Sequence, residues 1–143
     1  MSIYASDDQL YACLHALFGT IEAHDPKATG ALLKASLAIT FLCSAPAAAV
    51  TIDARRSPVK FLYGQSDPAP TIEVGLTADT LHCLLLGEIR LSKAIGSDLV
   101  KLKGPVWKTL SLADVFQFAQ QFYPRILADN GLPAYCPDAV RAR

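Results

Sequence analysis

The sequence predicts an α+β domain, and three observations carry that reading. Apolar residues recur at three- to four-residue spacing near both ends of the chain, as on one face of a helix. Between residues 37 and 76 the period drops to two, the signature of strands with chemically different faces. A late alternating stretch, residues 99–103, then returns among the C-terminal helices. Helices, a run of strands, and helices around one more strand are the element order of an α+β architecture.

The first helix opens at Ser6-Asp7-Asp8-Gln9, an S-x-x-Q capping box in which Ser6 accepts a first-turn N–H and Gln9 reaches back. Leu10, Leu14, Leu17, Phe18 and Ile21 form its apolar face, with Cys13 on the flank and His15 outward. It stops before Pro26, which cannot continue the ladder. Asp25-Pro26 reads as an N-cap with proline at the first helical position, opening a short helix through Leu32 and Leu33. Leu37, Ile39, Phe41 and Cys43 alternate with Ala38, Thr40 and Leu42; Val50 and Ile52 with Thr51 and Asp53; Val59, Phe61 and Tyr63 with Lys60 and Leu62. After Asp67-Pro68-Ala69-Pro70, the residues Ile72, Val74 and Leu76 make a fourth strand. Short connections between successive strands predict an antiparallel meander.

Thr77 caps a helix carrying Leu81, Leu84, Leu85 and Leu86, which ends at Gly87. A short helical turn from Leu91 to Ile95 closes at Gly96, and a fifth strand ends at Gly104-Pro105. The last long helix places Leu112, Val115, Phe116, Ala119, Phe122, Tyr123, Ile126 and Leu127 on one stripe, with Asp114, Gln117, Gln120 and Gln121 elsewhere. Asn130-Gly131 ends it. The expected organisation is one domain over residues 1–130 and a loosely held tail over 131–143.

Composition narrows the function. A chain of 143 residues fits one domain able to bury about 68–70% of its unfolded surface. Thirteen basic side chains balance thirteen acidic ones, which removes the simplest electrostatic case for nucleic acid or an anionic membrane. Apolar residues are 52% and charged ones 18%, an apolar surplus that suits a cavity or an interface. The opening residues lack the cationic start and apolar stretch of a secretory signal, so a cytoplasmic protein with four reduced thiols is expected. Cys13, Cys43, Cys83 and Cys136 contain no C-x-x-C pair, which leaves zinc and dithiol chemistry without their usual spacing.

No catalytic constellation stands out. Gly64-Gln65-Ser66-Asp67-Pro68 approaches G-x-S-x-G, but Pro68 fails the second glycine and a hairpin turn explains the segment better. His82 and Cys83 are sequence neighbours and point apart on a helix; a satisfied or solvated histidine is the default reading of His15, His24 and His82. Gly87, Gly96 and Gly104 punctuate elements and do not cluster as a phosphate cradle. Lys101 and Lys103 read as a solvated strand face, with a phosphate or lipid headgroup contact as the alternative.

The stretch from Leu76 to Gly104 resembles the sterol carrier protein type-2 family. Gly87, Ala94, Gly96, Lys103 and Gly104 fall in that family's order and spacing, and with the strand run and both long helices the resemblance covers roughly residues 8–127. It implies a five-stranded, mostly antiparallel sheet covered on one face by helices, around an apolar tunnel for an acyl chain, sterol or isoprenoid lipid. It implies no catalytic residue and no cofactor. The residues then expected to line the tunnel are Ile39, Phe41, Ile52, Phe61, Leu81, Leu84, Leu85, Ile95, Val115, Phe116, Phe122 and Tyr123. The expected partners are an apolar small molecule, at most a transient membrane contact, no nucleic acid, and either a second copy or a partner enzyme. The alternative function is a non-catalytic interaction or dimerisation module serving a lipid- or quinone-metabolising partner. The chain ends Arg141-Ala142-Arg143 and not in the Ser-Lys-Leu-type peroxisomal address of eukaryotic members, again pointing to a cytoplasmic setting.

Overall fold

A computed structural model of the chain describes residues 2–24, 27, 30–64 and 69–141. The N-cap expected at Asp25-Pro26, the strand break at Asp67-Pro68 and the near-elbow residues 65–68 lie outside the described residues. In chain order the elements are α1 (Asp7–His24), α2 (Gly30–Lys34), β1 (Ala38–Ser44), β2 (Ala48–Asp53), β3 (Lys60–Tyr63) and β4 (Ile72–Thr77). They continue with α3 (Ala78–Leu86), α4 (Leu91–Gly96), β5 (Lys101–Lys103), a 3-10 turn (Val106–Thr109), α5 (Leu110–Asp129) and α6 (Asp138–Arg141).

The local signals act as read. Gln9 N–H donates to Ser6 Oγ at 3.2 Å, while the Gln9 carboxamide reaches one residue further back, to Ala5 N–H at 2.7 Å. Thr77 accepts from Thr80 N–H at 3.1 Å to start α3, and Gly87 ends it in the left-handed region at φ +80°. That glycine also answers a close approach: a Cβ there would lie 2.6 Å from Gln120 Cδ on α5. Gly104, at φ +121°, lets β5 leave the sheet where a Cβ would sit 2.5 Å from the Thr71 carbonyl oxygen. Pro124 stands inside α5 on its exposed side, where its missing N–H removes one ladder bond without ending the helix.

The strands form one sheet in the order β3-β2-β1-β4-β5. Three of its pairings are antiparallel, but β1 and β4 run parallel, with Ile39 opposite Ile72 and Phe41 opposite Val74. The expected meander is therefore broken after β3, and the sheet is mixed. Period-two patterning reports that a strand exists and which face it buries, but says nothing about its neighbour. The junction is sealed by Thr71, whose N–H donates to the Ala38 carbonyl at 2.8 Å and whose hydroxyl accepts from Ala38 N–H at 3.1 Å.

Ile39, Phe41, Val50, Ile52, Ile72 and Val74 point into the core from the sheet, and α1, α3 and α5 cover that face. On the opposite face Thr40 and Thr51, cross-strand partners, bond hydroxyl to hydroxyl at 2.9 Å. Lys101 and Lys103 are exposed on β5, as the alternation predicts. The residues after α5 depart from the loosely held tail expected: Cys136 and Val140 are buried against the core, with α6 packed on α3.

Candidate functional site

Two spaces flank α5, and Phe116 touches both. The first is an open groove of about 930 Å³ between α3, α4 and α5. Leu84, Ile89, Leu91, Ile95, Ala113 and Phe116 supply its apolar walls, with Arg90, Trp107, Gln117 and Gln120 at polar or exposed positions. Its volume lies in the range of ordinary small-molecule sites. The second is an internal void between the sheet and α1, α3 and α5, bounded by Leu14, Phe18, Phe41, Val50, Ile52, Leu81, Leu85, Leu112, Val115 and Phe116. Only about 10 Å³ of it is free, around the lower limit for one water. The Phe116 ring meets Phe41 edge-on, at 6.4 Å between centroids.

Six of the side chains expected along a tunnel, Phe41, Ile52, Leu81, Leu85, Val115 and Phe116, meet around that void. Leu84 and Ile95 line the outer groove with Phe116. The remaining four border neither space. Ile39 is fully buried in the core; Phe61 stacks on Phe18 at 4.7 Å; Phe122 lies beside His24 at 4.9 Å; Tyr123 is fully buried with its hydroxyl in a polar chain. Missed by the sequence reading were Ile89, Arg90, Leu91, Trp107, Gln117 and Gln120 on the groove. α4 is too short for a periodic signal, and Trp107 follows a chain break that carries no pattern.

That polar chain is buried in the core. His82, fully buried on α3, bonds through Nε2 to the Tyr135 carbonyl at 2.9 Å and through Nδ1 to the Tyr123 hydroxyl at 2.7 Å. A carbonyl only accepts, so Nε2 carries the proton and Nδ1 accepts from Tyr123. Tyr123 in turn takes a hydrogen bond from Tyr4. The direction of every bond follows from that one carbonyl and from the neutrality of the buried ring. Burial raises the pKa of both tyrosines and lowers that of His82, keeping all three neutral. Every ring nitrogen is occupied and none reaches solvent, so His82 is a structural group here.

The depressed His82 pKa has a pH consequence. Between the ordinary imidazole range near 6.5 and the lower folded value, the unfolded chain binds a proton that the folded chain refuses. Its stabilising contribution is full above about pH 6.5 and is lost as pH falls, with a slope of at most about 1.4 kcal/mol per pH unit. His82→Gln keeps a donor and an acceptor without titrating. Urea midpoints from pH 7 to pH 5 should therefore decline less steeply in that variant than in the wild type, and parallel slopes would show that His82 is not the group responsible.

Cys83 on α3 and Cys136 in the returning segment form a disulfide, with Cα atoms 5.0 Å apart. This corrects the expectation of four reduced thiols. Pairing is decided by where the folded chain brings residues, and the far end of the chain comes back onto α3. Disulfides are a mark of oxidising compartments, so a cytoplasmic location no longer follows from the cysteines. Cys13 and Cys43 remain free and buried, and burial pushes the Cys43 thiol up to about 12. Among the described residues no three His, Cys, Asp or Glu side chains gather as a metal site, and no helix is long and apolar enough to cross a membrane.

A five-stranded mixed sheet with its helices on one face, flanked by α3 and α5 around an apolar space, has the architecture of the sterol carrier protein 2 domain. The chain is similar to the solved ubiquinone synthesis protein UbiJ-SCP2, with 17% identity and a TM-score of 0.60 over 77% of this chain and 95% of that one. It is similar to sterol carrier protein domain 2 of Helicoverpa armigera, with 17% identity and a TM-score of 0.58 over 75% and 87%. Sterol carrier protein 2 of Yarrowia lipolytica, in its apo form, gives 18% identity and 0.56 over 68% and 80%. At such identities the likeness is one of fold. No family model matches the sequence, and no curated protein does.

Proposed function

We propose that this chain is a non-enzymatic binder and carrier of an apolar small molecule, an acyl, sterol-like or isoprenoid lipid. The ligand lies in the groove between α3, α4 and α5 and reaches the sheet side of α5 when the Phe116 ring swings aside. The observation that carries this reading is the position of Phe116, buried and shared between a large open groove and the void lined by the core's own aliphatic residues. Each ligand methylene leaving water gains about 0.8 kcal/mol, so a ten-carbon chain gains about 8 kcal/mol against association costs of similar order. Modest affinity and low selectivity follow. The sterol carrier proteins with this fold support the ligand class by name.

A fluorescent acyl probe should bind saturably and be displaced by unlabelled chains. Absence of saturable binding across acyl, sterol and isoprenoid quinone probes would retire the reading. The nearly closed interior favours a second one, in which the apolar groove receives a partner protein of lipid or quinone metabolism. The ubiquinone synthesis protein among the similar structures points the same way. A groove that takes no probe, in a protein that forms a stable dimer or captures such an enzyme, is what that alternative expects.

A further inference from the structure

The rim of the groove carries the chain's single tryptophan, and Trp107 is 71% exposed. It stands on the 3-10 turn Val106–Thr109, with the Lys108 ammonium 5.3 Å from the centroid of its ring. Arg90 lines the same groove, which has no acidic side chain on its walls among the described residues. The neutrality of the whole chain conceals a local excess. From Arg90 to Lys108 there are five cations, Arg90, Lys93, Lys101, Lys103 and Lys108, against the single acid Asp98. Glu73 neutralises Lys103 at 3.6 Å, and Lys101 lines a separate pocket with Asp98. The cations at this rim are therefore Arg90 and Lys108, with Lys93 next to the groove-lining Ser92; Glu88 is paired with Arg141 at 3.2 Å. Asp114, next to the groove-lining Ala113 on α5, is the exposed acid that opposes the excess.

We propose that this rim is a docking surface for an anionic lipid bilayer, with Trp107 entering the headgroup layer and Arg90 and Lys108 facing its phosphates. An indole has an apolar body with one N–H donor and settles at the membrane–water boundary, where both are served. Cations beside it add electrostatic attraction that fades within about a Debye length. A protein partner for this rim would need an acidic apolar surface. A bilayer offers the negative charge and the apolar layer together, at the mouth of a groove whose walls are aliphatic. Docked this way, the groove opens toward the acyl chains, and an apolar cargo passes between membrane and protein without crossing bulk water. The docking itself needs no cargo, so it stands or falls separately from the carrier reading.

Because Trp107 is the only indole, the fluorescence of the intact chain reports on this rim, and dependence on anionic lipid and on salt separates docking from uptake of lipid into the groove. Titration with phosphatidylcholine vesicles containing phosphatidylglycerol should shift the emission to the blue, and raised salt should reverse the shift. Pure phosphatidylcholine vesicles should give a much smaller response. Arg90→Gln and Lys108→Gln should each weaken partitioning by about fivefold, and Trp107→Ala should abolish co-sedimentation with the anionic vesicles. No blue shift on anionic vesicles overturns the proposal, and so does an equal response to both vesicle types. A shift that grows with protein concentration without lipid also overturns it, assigning the rim to self-association. The wild-type titrations alone decide among these outcomes, whatever a variant does to the fold.

Discussion

Cys136→Ser should lower the stability of the oxidised protein by about 4 kcal/mol, the chain-entropy value for a bridge closing a loop of 53 residues. Two further losses act in the same direction. The Cys83 thiol is left in a site with no solvent exposure, and the segment that presents the Tyr135 carbonyl to His82 loses its covalent anchor. The exposed Arg141–Glu88 pair cannot replace it, because ion pairs in water contribute little. Urea denaturation of the wild type with and without a dithiol reductant, beside the variant, makes the comparison. The reduced wild type should fall to the variant's midpoint. Alkylation after unfolding without reductant should label Cys13 and Cys43 and spare the other two. An unchanged midpoint on reduction would mean that the returning segment is held by packing alone.

This bridge marks the limit of what the sequence makes legible. Local features can be read wherever a residue's chemistry acts on its own turn. Ser6 and Thr77 cap helices because their hydroxyls meet N–H groups three residues away, and Gly87 ends α3 because it alone takes that φ without a Cβ clash. The stripe from Leu112 to Leu127 buries Leu112, Val115, Phe116, Ala119, Tyr123, Ile126 and Leu127, since helical geometry leaves them no other common face. Features made by long-range return of the chain leave no such trace. Nothing in β4 says it will lie parallel to β1, nor do Cys83 and Cys136 announce each other. Arg90, Trp107 and Gln117 share a groove although no spacing rule joins them.

The site shows the same division in finer grain. Apolar periodicity finds residues that face the interior, and Phe41, Ile52, Leu81, Leu85, Val115 and Phe116 do face one space. It cannot tell an interior that is hollow from one that is filled. Here the space beneath the sheet, with Phe18 from α1 and Phe116 from α5 among its walls, leaves only about 10 Å³ free. Tyr123 belongs to the same apolar stripe by spacing, yet its hydroxyl has a partner in His82, which commits it to the polar chain and removes it from any lining role. A tyrosine at a buried helical position thus reads as wall or as network according to one hydrogen bond that only the folded chain supplies.

Phe116→Ala should join the groove to the void, with two measurable effects of opposite sign. Removing a buried phenyl ring costs about 3–5 kcal/mol, part of it for the space left behind. That space connects the outer walls at Leu84 and Ile95 with the inner ones at Leu81, Leu85 and Val115. An apolar chain that now reaches both should bind the variant more tightly than the wild type, and a ligand that binds only the folded form raises its stability by mass action. A long-chain fatty alcohol should therefore raise the variant's Tm by more than it raises that of the wild type, recovering part of the deficit. A short-chain alcohol, too small to span both spaces, should show a smaller difference. Thermal scans at fixed protein concentration over an alcohol series provide the test. If the variant is destabilised yet no more responsive than the wild type at any chain length, the ring is ordinary core packing and the groove ends at its surface.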